Sequence, residues 1–260
     1  MNIKPWKELS YGRLQVKVYE NKVDLGRAAA RLAAQSINAM LSDREQISLV
    51  FSTGASQFQF VDGLKEQDID WSRIVAFHLD EYERIDKTHP ASFRLWLETR
   101  IEAPFKPGVF YYIEGDAPDA EAECQRYSQL LKRHPIDLGF IGIGENGHVA
   151  FNDPPVADFA DPVKVKIVEL DEMCRKQQVG EGWFPSIEDV PRRALTLTVP
   201  AIMECKQIIS VVPDARKADA VQQALEGPIS TTCPASVLRT HPNATLFLDR
   251  DSAGKLAALA

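Results

Sequence analysis

His148 closes the run Gly142-Ile143-Gly144-Glu145-Asn146-Gly147-His148, and Asp153 follows five residues later. An imidazole after a glycine-rich turn, with Glu145 and Asp153 close in sequence, can exchange protons near neutral pH. Asp80 and Glu81, followed by Tyr82, stand directly after the apolar run 74–79. A carboxylate partly withdrawn from water at a strand end can act as a proton acceptor. The plainer alternative for this acid pair is a loop that caps a helix or pairs with Arg84 or Arg94. Ser52-Thr53-Gly54-Ala55-Ser56 follows the apolar run Ile47–Phe51. Small residues let the backbone approach an anion, while hydroxyls and a helix N-terminus supply donors. No Gly-Lys-Ser/Thr follows, so this is not a Walker A loop, and a capped strand-to-helix turn is its alternative. Lys217 stands at the start of a predicted helix just after a strand, where its ammonium and the helix dipole both favour an anion. A solvated helix lysine is the other reading.

The elements that would position these groups alternate. Strand character appears at Leu14–Tyr19, Ile47–Phe51, 74–79, 136–143, Gln207–Val212 and 244–248, and residues 163–170 read as extended. Between them, residues 21–40 carry Leu25, Ala29, Leu32, Ala33, Ile37 and Met40 at helical spacing. Further helices are expected over 56–67, from about Pro90, over 118–132 and over 215–225. Strands alternating with helices predict an α/β fold, a single domain over residues 1–260 with a mainly parallel, Rossmann-like sheet covered by helices on both faces. In such sheets a ligand sits outside the carboxyl ends of the strands, near the point where strand order reverses. Each group named above follows a strand.

Bulk composition excludes several functions. The formal charge of −7 opposes nucleic acid, and no basic run reverses it. The same charge opposes a sugar phosphate, so any anion site must be built locally. The first ten residues lack the apolar core of a secretory signal, and no later run is long enough to span a bilayer, so no membrane partner is expected. Cys124, Cys174, Cys205 and Cys233 form neither a CxxC pair nor a Cys/His cluster of zinc spacing. They read as reduced, buried thiols in a cytoplasmic protein. With no second histidine at ligand spacing to His148, no metal is expected.

Gly142, Gly144 and Gly147 also match GxGxxG, with Asp171 about two dozen residues further on, as a dinucleotide site requires. That motif needs its third glycine to open a helix, and Pro154, Pro155 and Pro162 forbid one. No nucleotide cofactor is expected.

Taken together, the stretches STGAS, FHLDEY with HPASF, IDLGFIGIGENGHVAFNDPP, and ALTLTVPAIMEC with RKADAVQQALEGPISTTCPASVLRTHPNATLFLD resemble the glucosamine-6-phosphate deaminase family. They occur in family order from about Ser52 to Asp249. Lactonases of the same wider fold usually follow their His with a Ser-Leu-Phe-Pro type sequence and carry Arg after the acid pair. This chain has Ala150-Phe151-Asn152-Asp153-Pro154 and Tyr82, as the deaminases do. The resemblance implies that Asp80 moves a proton between carbons 2 and 1 of an open-chain amino-sugar phosphate. It implies that His148, oriented by Asp153 and Asn146, helps open the ring, and that Thr53, Gly54, Ala55, Ser56 and Lys217 hold the phosphate. No cofactor is implied, and a homo-oligomer is a common state of the family.

Three departures stand out. Family members commonly carry Asp where this chain has Asn146, and Glu where it has Asp153. The segment 153–193 corresponds to a lid that often brings an Arg to the phosphate, yet residues 175–182 align poorly and no Arg can be assigned. Galactosamine 6-phosphate and a lactone remain alternative substrates of the same fold. A sugar-phosphate sensor is expected to append a DNA-binding helix-turn-helix, for which this sequence offers no segment.

Overall fold

Strands buried on both faces need helices on both sides, and the computed structural model, which describes residues 3–259, shows how the chain supplies them. In chain order the elements are β1 (Lys7–Tyr11), β2 (Leu14–Tyr19), α1 (Lys22–Asp43), β3 (Ile47–Phe51), α2 (Phe58–Lys65), β4 (Ile74–His78), β5 (Asp80–Tyr82), α3 (Phe93–Leu97), α4 (Ala103–Phe105) and β6 (Val109–Phe110). Then follow α5 (Ala120–Arg133), β7 (Leu138–Ile141), β8 (Val165–Glu169), α6 (Glu172–Gly180), β9 (Arg193–Leu197), α7 (Val199–Met203), β10 (Gln207–Val212), α8 (Ala218–Glu226) and β11 (Ala244–Asp249).

The main sheet has the order β1-β2-β11-β10-β7-β3-β4-β6, and every pairing is parallel except the β1–β2 hairpin. Side chains alternate between two cores, as the period of a strand requires. Leu49, Phe140 and Ile209 pack against α1 and α2 on one face, while Val50, Ile141 and Ile208 pack against α5 and α8 on the other. The continuous apolar runs seen in the sequence belong to strands covered on both sides. Helix starts are set by capping side chains. Asn21 Oδ1 accepts from the Val23 and Asp24 N–H groups at 3.0 Å, and Asp119 Oδ1 accepts from Ala122 N at 3.0 Å.

A second sheet, β5-β9-β8, is antiparallel and was not expected from the sequence. It pairs Asp80 with Thr196 and Val165 with Leu197. A third core of Tyr82, Phe151, Val168, Leu170, Cys174, Phe184 and Ala194 lies beneath it. Two helix starts differ from expectation. The helix placed at Pro90 begins at Phe93, because Ser92 caps it and Pro90 lies in the preceding turn. The helix placed over 56–67 opens as a 3₁₀ turn, Ala55–Gln57, before α2. No helix among the described residues is long and apolar enough to cross a membrane.

Candidate active site at the strand-order reversal

The chain runs outward in one direction through β3, β4 and β6, then returns to β7 and runs the other way through β10 and β11. Neighbouring β3 and β7 therefore send their following segments apart, which opens a crevice at their carboxyl ends. Segments after β4, β3, β7 and β10 bring Asp80, residues 52–56, Gly142, Gly144, His148 and Lys217 to one cleft. Asn146 and Asp153 stand behind His148.

The turn after β7 is built around the imidazole. Gly147 takes φ +82°, and a Cβ on Gly144 would lie only 2.1–2.3 Å from the His148 ring, so the ring packs flat against bare backbone. The Asn146 side chain accepts from His148 N at 3.0 Å and donates to Asp153 Oδ1 at 2.9 Å. Asp153 Oδ1 in turn lies 2.8 Å from His148 Nδ1. Asp153 is fully buried; burial pushes its carboxyl up, but the facing His148 and the Asn146 amide together hold it below the usual range. No helix follows Gly147: the chain makes the bridge Val149↔Asn152, with Ala150 at φ +50°, so the backbone shape of a dinucleotide site is absent from this turn. Asn152 ties the turn to β9 by donating to Leu197 O at 2.8 Å.

The two acids after β4 part company. Asp80 lines the cleft, and burial, then Glu81, then Asp153 push its carboxyl well above the ordinary range. Glu81 turns away and is fully buried. It accepts from Ser92 Oγ at 2.8 Å, Arg94 N at 2.9 Å, Tyr82 N at 3.0 Å and Phe93 N at 3.1 Å. The helix-capping alternative thus describes Glu81 and not Asp80. His78, which sequence reasoning passed over, anchors the pair. Its Nε2 accepts from Ile113 N at 2.8 Å, so Nδ1 carries the proton and donates to Asp80 O at 2.8 Å. Burial lowers its pKa to about 3, so it serves as a neutral strut.

The Ser52–Ser56 loop has no side-chain cap, so the capped-turn alternative does not describe it. Gly54 adopts φ +96°, and a Cβ there would meet nothing within 4 Å; the backbone conformation, not crowding, calls for glycine. Beneath the loop, buried Gln57 donates to Ser56 Oγ at 3.0 Å. Lys217 is 5% exposed, which sets aside the solvated-lysine alternative. Burial lowers its pKa, and among the described residues its ammonium has no hydrogen bond or ion pair. An unpaired buried cation facing small residues and free N–H groups is a site for an anion.

α6 and its C-cap Glu181 add residues that the sequence did not reveal. Gln177, Gln178 and Glu181 line the cleft, and Gln177 Oε1 accepts from Glu145 N at 3.2 Å. Arg175 instead donates to the carbonyls of Ile187 and Val190, away from the cleft. Asp171 caps the helix through Met173 N and Cys174 N and also takes the Asn146 amide at 3.4 Å. An N-cap Asp before a helix is a legible signal; its contact with Asn146 is not.

The family model for glucosamine-6-phosphate isomerases and 6-phosphogluconolactonase matches residues 20–247. The chain belongs to this family. Within the glucosamine-6-phosphate isomerase/6-phosphogluconolactonase family it is 35% identical over 231 residues to a glucosamine-6-phosphate deaminase from Exiguobacterium sp., covering 88% of each chain. It is 34% identical over 241 residues to one from Bacillus thuringiensis, covering 92% of this chain and 88% of that one. Among solved structures of the family, a monomeric glucosamine-6-phosphate deaminase matches with TM-score 0.83 and 31% identity, covering 92% of this chain and 98% of that chain. A 6-phosphogluconolactonase from Thermotoga maritima matches with TM-score 0.73 at 18% identity, covering 91% of this chain and 99% of that chain, which speaks for the shared fold.

Proposed function

We propose that this chain is a glucosamine-6-phosphate deaminase, converting glucosamine 6-phosphate and water to fructose 6-phosphate and ammonia. The observation that carries the reading is the meeting of Asp80, the His148–Asp153 pair and unpaired Lys217 in one cleft. Lys217 and the N–H groups of residues 53–56 take the phosphate, whose remote binding energy fixes the sugar carbons against Asp80. His148, held by Asp153 and Asn146, assists proton transfer at the ring oxygen as the pyranose opens. Asp80 then takes the carbon-2 proton and returns it to carbon 1, so that the aldehyde is reduced as the amine-bearing carbon becomes an imine. Water adds to that imine and ammonia leaves. The proton shuttle needs no redox cofactor.

Residues 153–193 act as a lid, with α6 as the part that covers the phosphate. Gln177 and Gln178 supply amide donors where relatives bring an Arg. Four free, buried thiols suit the reducing cytoplasm. The test is ammonia release from glucosamine 6-phosphate and galactosamine 6-phosphate with Asp80→Asn as control. A lactonase releases none, and faster release from the galactosamine substrate would move the assignment to that sugar.

A further inference from the structure

We propose that His148 Nδ1, a carboxylate oxygen of Asp153 and the sulfur of Cys174 form a capture site for Zn²⁺, and that its occupation shuts the cleft down. One donor atom from each residue lies within 4.8 Å of the other two. Two of these groups are underused. Among the described residues Asp153 Oδ2 is buried with no hydrogen-bond partner, and the 2.8 Å contact of His148 Nδ1 with Asp153 Oδ1 falls outside hydrogen-bond angles. Cys174 is 1% exposed and faces the same carboxylate. Imidazole, carboxylate and thiolate are the donor set of zinc, and ligands about 2.0–2.3 Å from a tetrahedral ion need only a small contraction of this cluster.

The charges balance as well. Binding releases the thiol proton and ligates His148 as the neutral ring with its proton on Nε2, so thiolate and carboxylate together cancel the dication and no net charge is buried. The Asn146 amide on Asp153 Oδ1 supplies the outer support that zinc ligands need. His148 borders the cleft, so an ion held behind it on Nδ1 pins the ring that the reaction needs. Sequence spacing hid the site, because Cys174 reaches it only through the docking of α6.

Binding itself is independent of the deaminase reading; only the inhibition rests on it. Equilibrium dialysis of the full chain with Zn²⁺ is expected to give about one ion per chain, with loss of ammonia release. Co²⁺ in its place is expected to give visible ligand-field bands and a near-ultraviolet thiolate charge-transfer band. Cys174→Ser keeps basal activity, loses the thiolate band and weakens Zn²⁺ at least about tenfold, since outer-shell changes alone cost that much. Cys124→Ser, remote from the cleft, changes neither. Absence of the thiolate band in the unaltered protein, or unchanged affinity in Cys174→Ser, would overturn the proposal. Should Cys174→Ser fail to fold, the Co²⁺ spectrum of the unaltered protein decides. A protein that shows the band but releases no ammonia retains the metal site and loses the deaminase assignment.

Discussion

Asn146 Nδ2 lies 2.9 Å from Asp153 Oδ1, so the group facing this buried carboxylate is an amide and not a further acid. The same nitrogen reaches Asp171 Oδ2 at 3.4 Å, and the amide oxygen accepts from His148 N. An amide fits between two carboxylates because it can donate to both. Asn146→Asp would set a third carboxylate against two others and take one donor from each. Thermal unfolding is expected to fall by the equivalent of about 1–3 kcal/mol, and kcat to fall with it. An acid at 146 therefore needs a compensating change: the double variant Asn146→Asp with Asp171→Asn should recover part of the loss. An unchanged melting temperature in the single variant would show that Asp171 does not share this site.

Asp80 is expected to act as base only when charged, and burial together with two neighbouring acids raises its pKa. Activity should consequently fail, as pH drops, at a higher pH than an ordinary carboxylate would set. Asp80→Asn should lower kcat by roughly 10²–10⁴-fold with KM little changed. Stability moves the other way. A raised pKa means that folding is favoured below the unfolded value and that this contribution is lost as pH rises through the folded value. At neutral pH the neutral Asn should thus melt higher than Asp80, by about 2–4 °C for each kcal/mol relieved, and the gap should close in acid. Paired pH–rate and pH–melting profiles check both signs.

How far the sequence foretold these arrangements varies by element. Ile47–Phe51 and Gln207–Val212 were legible because buried parallel strands are unbroken apolar runs. Their loops could be read as ligand-facing for the same reason. β5 was not legible, since its residues are Asp80, Glu81 and Tyr82, and only pairing with β9 makes them a strand. α6 buries only Cys174 and Gln178 and so lacks an apolar stripe. The partition of Asp80 into the cleft and Glu81 into a helix cap depends on a one-residue alternation of faces, which no composition argument could orient.

Among the described residues Lys217 has no counter-ion within hydrogen-bond reach, and the acids Glu181 and Glu145 act on it only at longer range. A bound phosphate would supply the missing partner. Lys217→Met is expected to raise KM and cut kcat/KM by about 2 kcal/mol or more, roughly 30-fold, while leaving the fold intact. The penalty should shrink when glucosamine without its phosphate is the substrate. An equal loss on both substrates would place Lys217 at the reacting carbons and not at the phosphate.

Glu81 supplies the contrast that separates structure from chemistry within adjacent acids. Burial pushes its carboxyl up, while the Arg94, Phe93, Ser92 and Tyr82 donors pull it back. Apart from Tyr82 of β5, those donors form the opening of α3, and Arg94 Nε adds a contact at 3.5 Å. Glu81→Ala would strand several buried donors at once, at about 3 kcal/mol, or roughly 6–12 °C of melting temperature. The folded fraction should keep a kcat far closer to the parent than Asp80→Asn does, because no atom of Glu81 borders the cleft. Comparable kcat losses for the two variants at a temperature where both are folded would mean that the acids share the proton shuttle. A fall in stability without a fall in turnover assigns that shuttle to Asp80 alone.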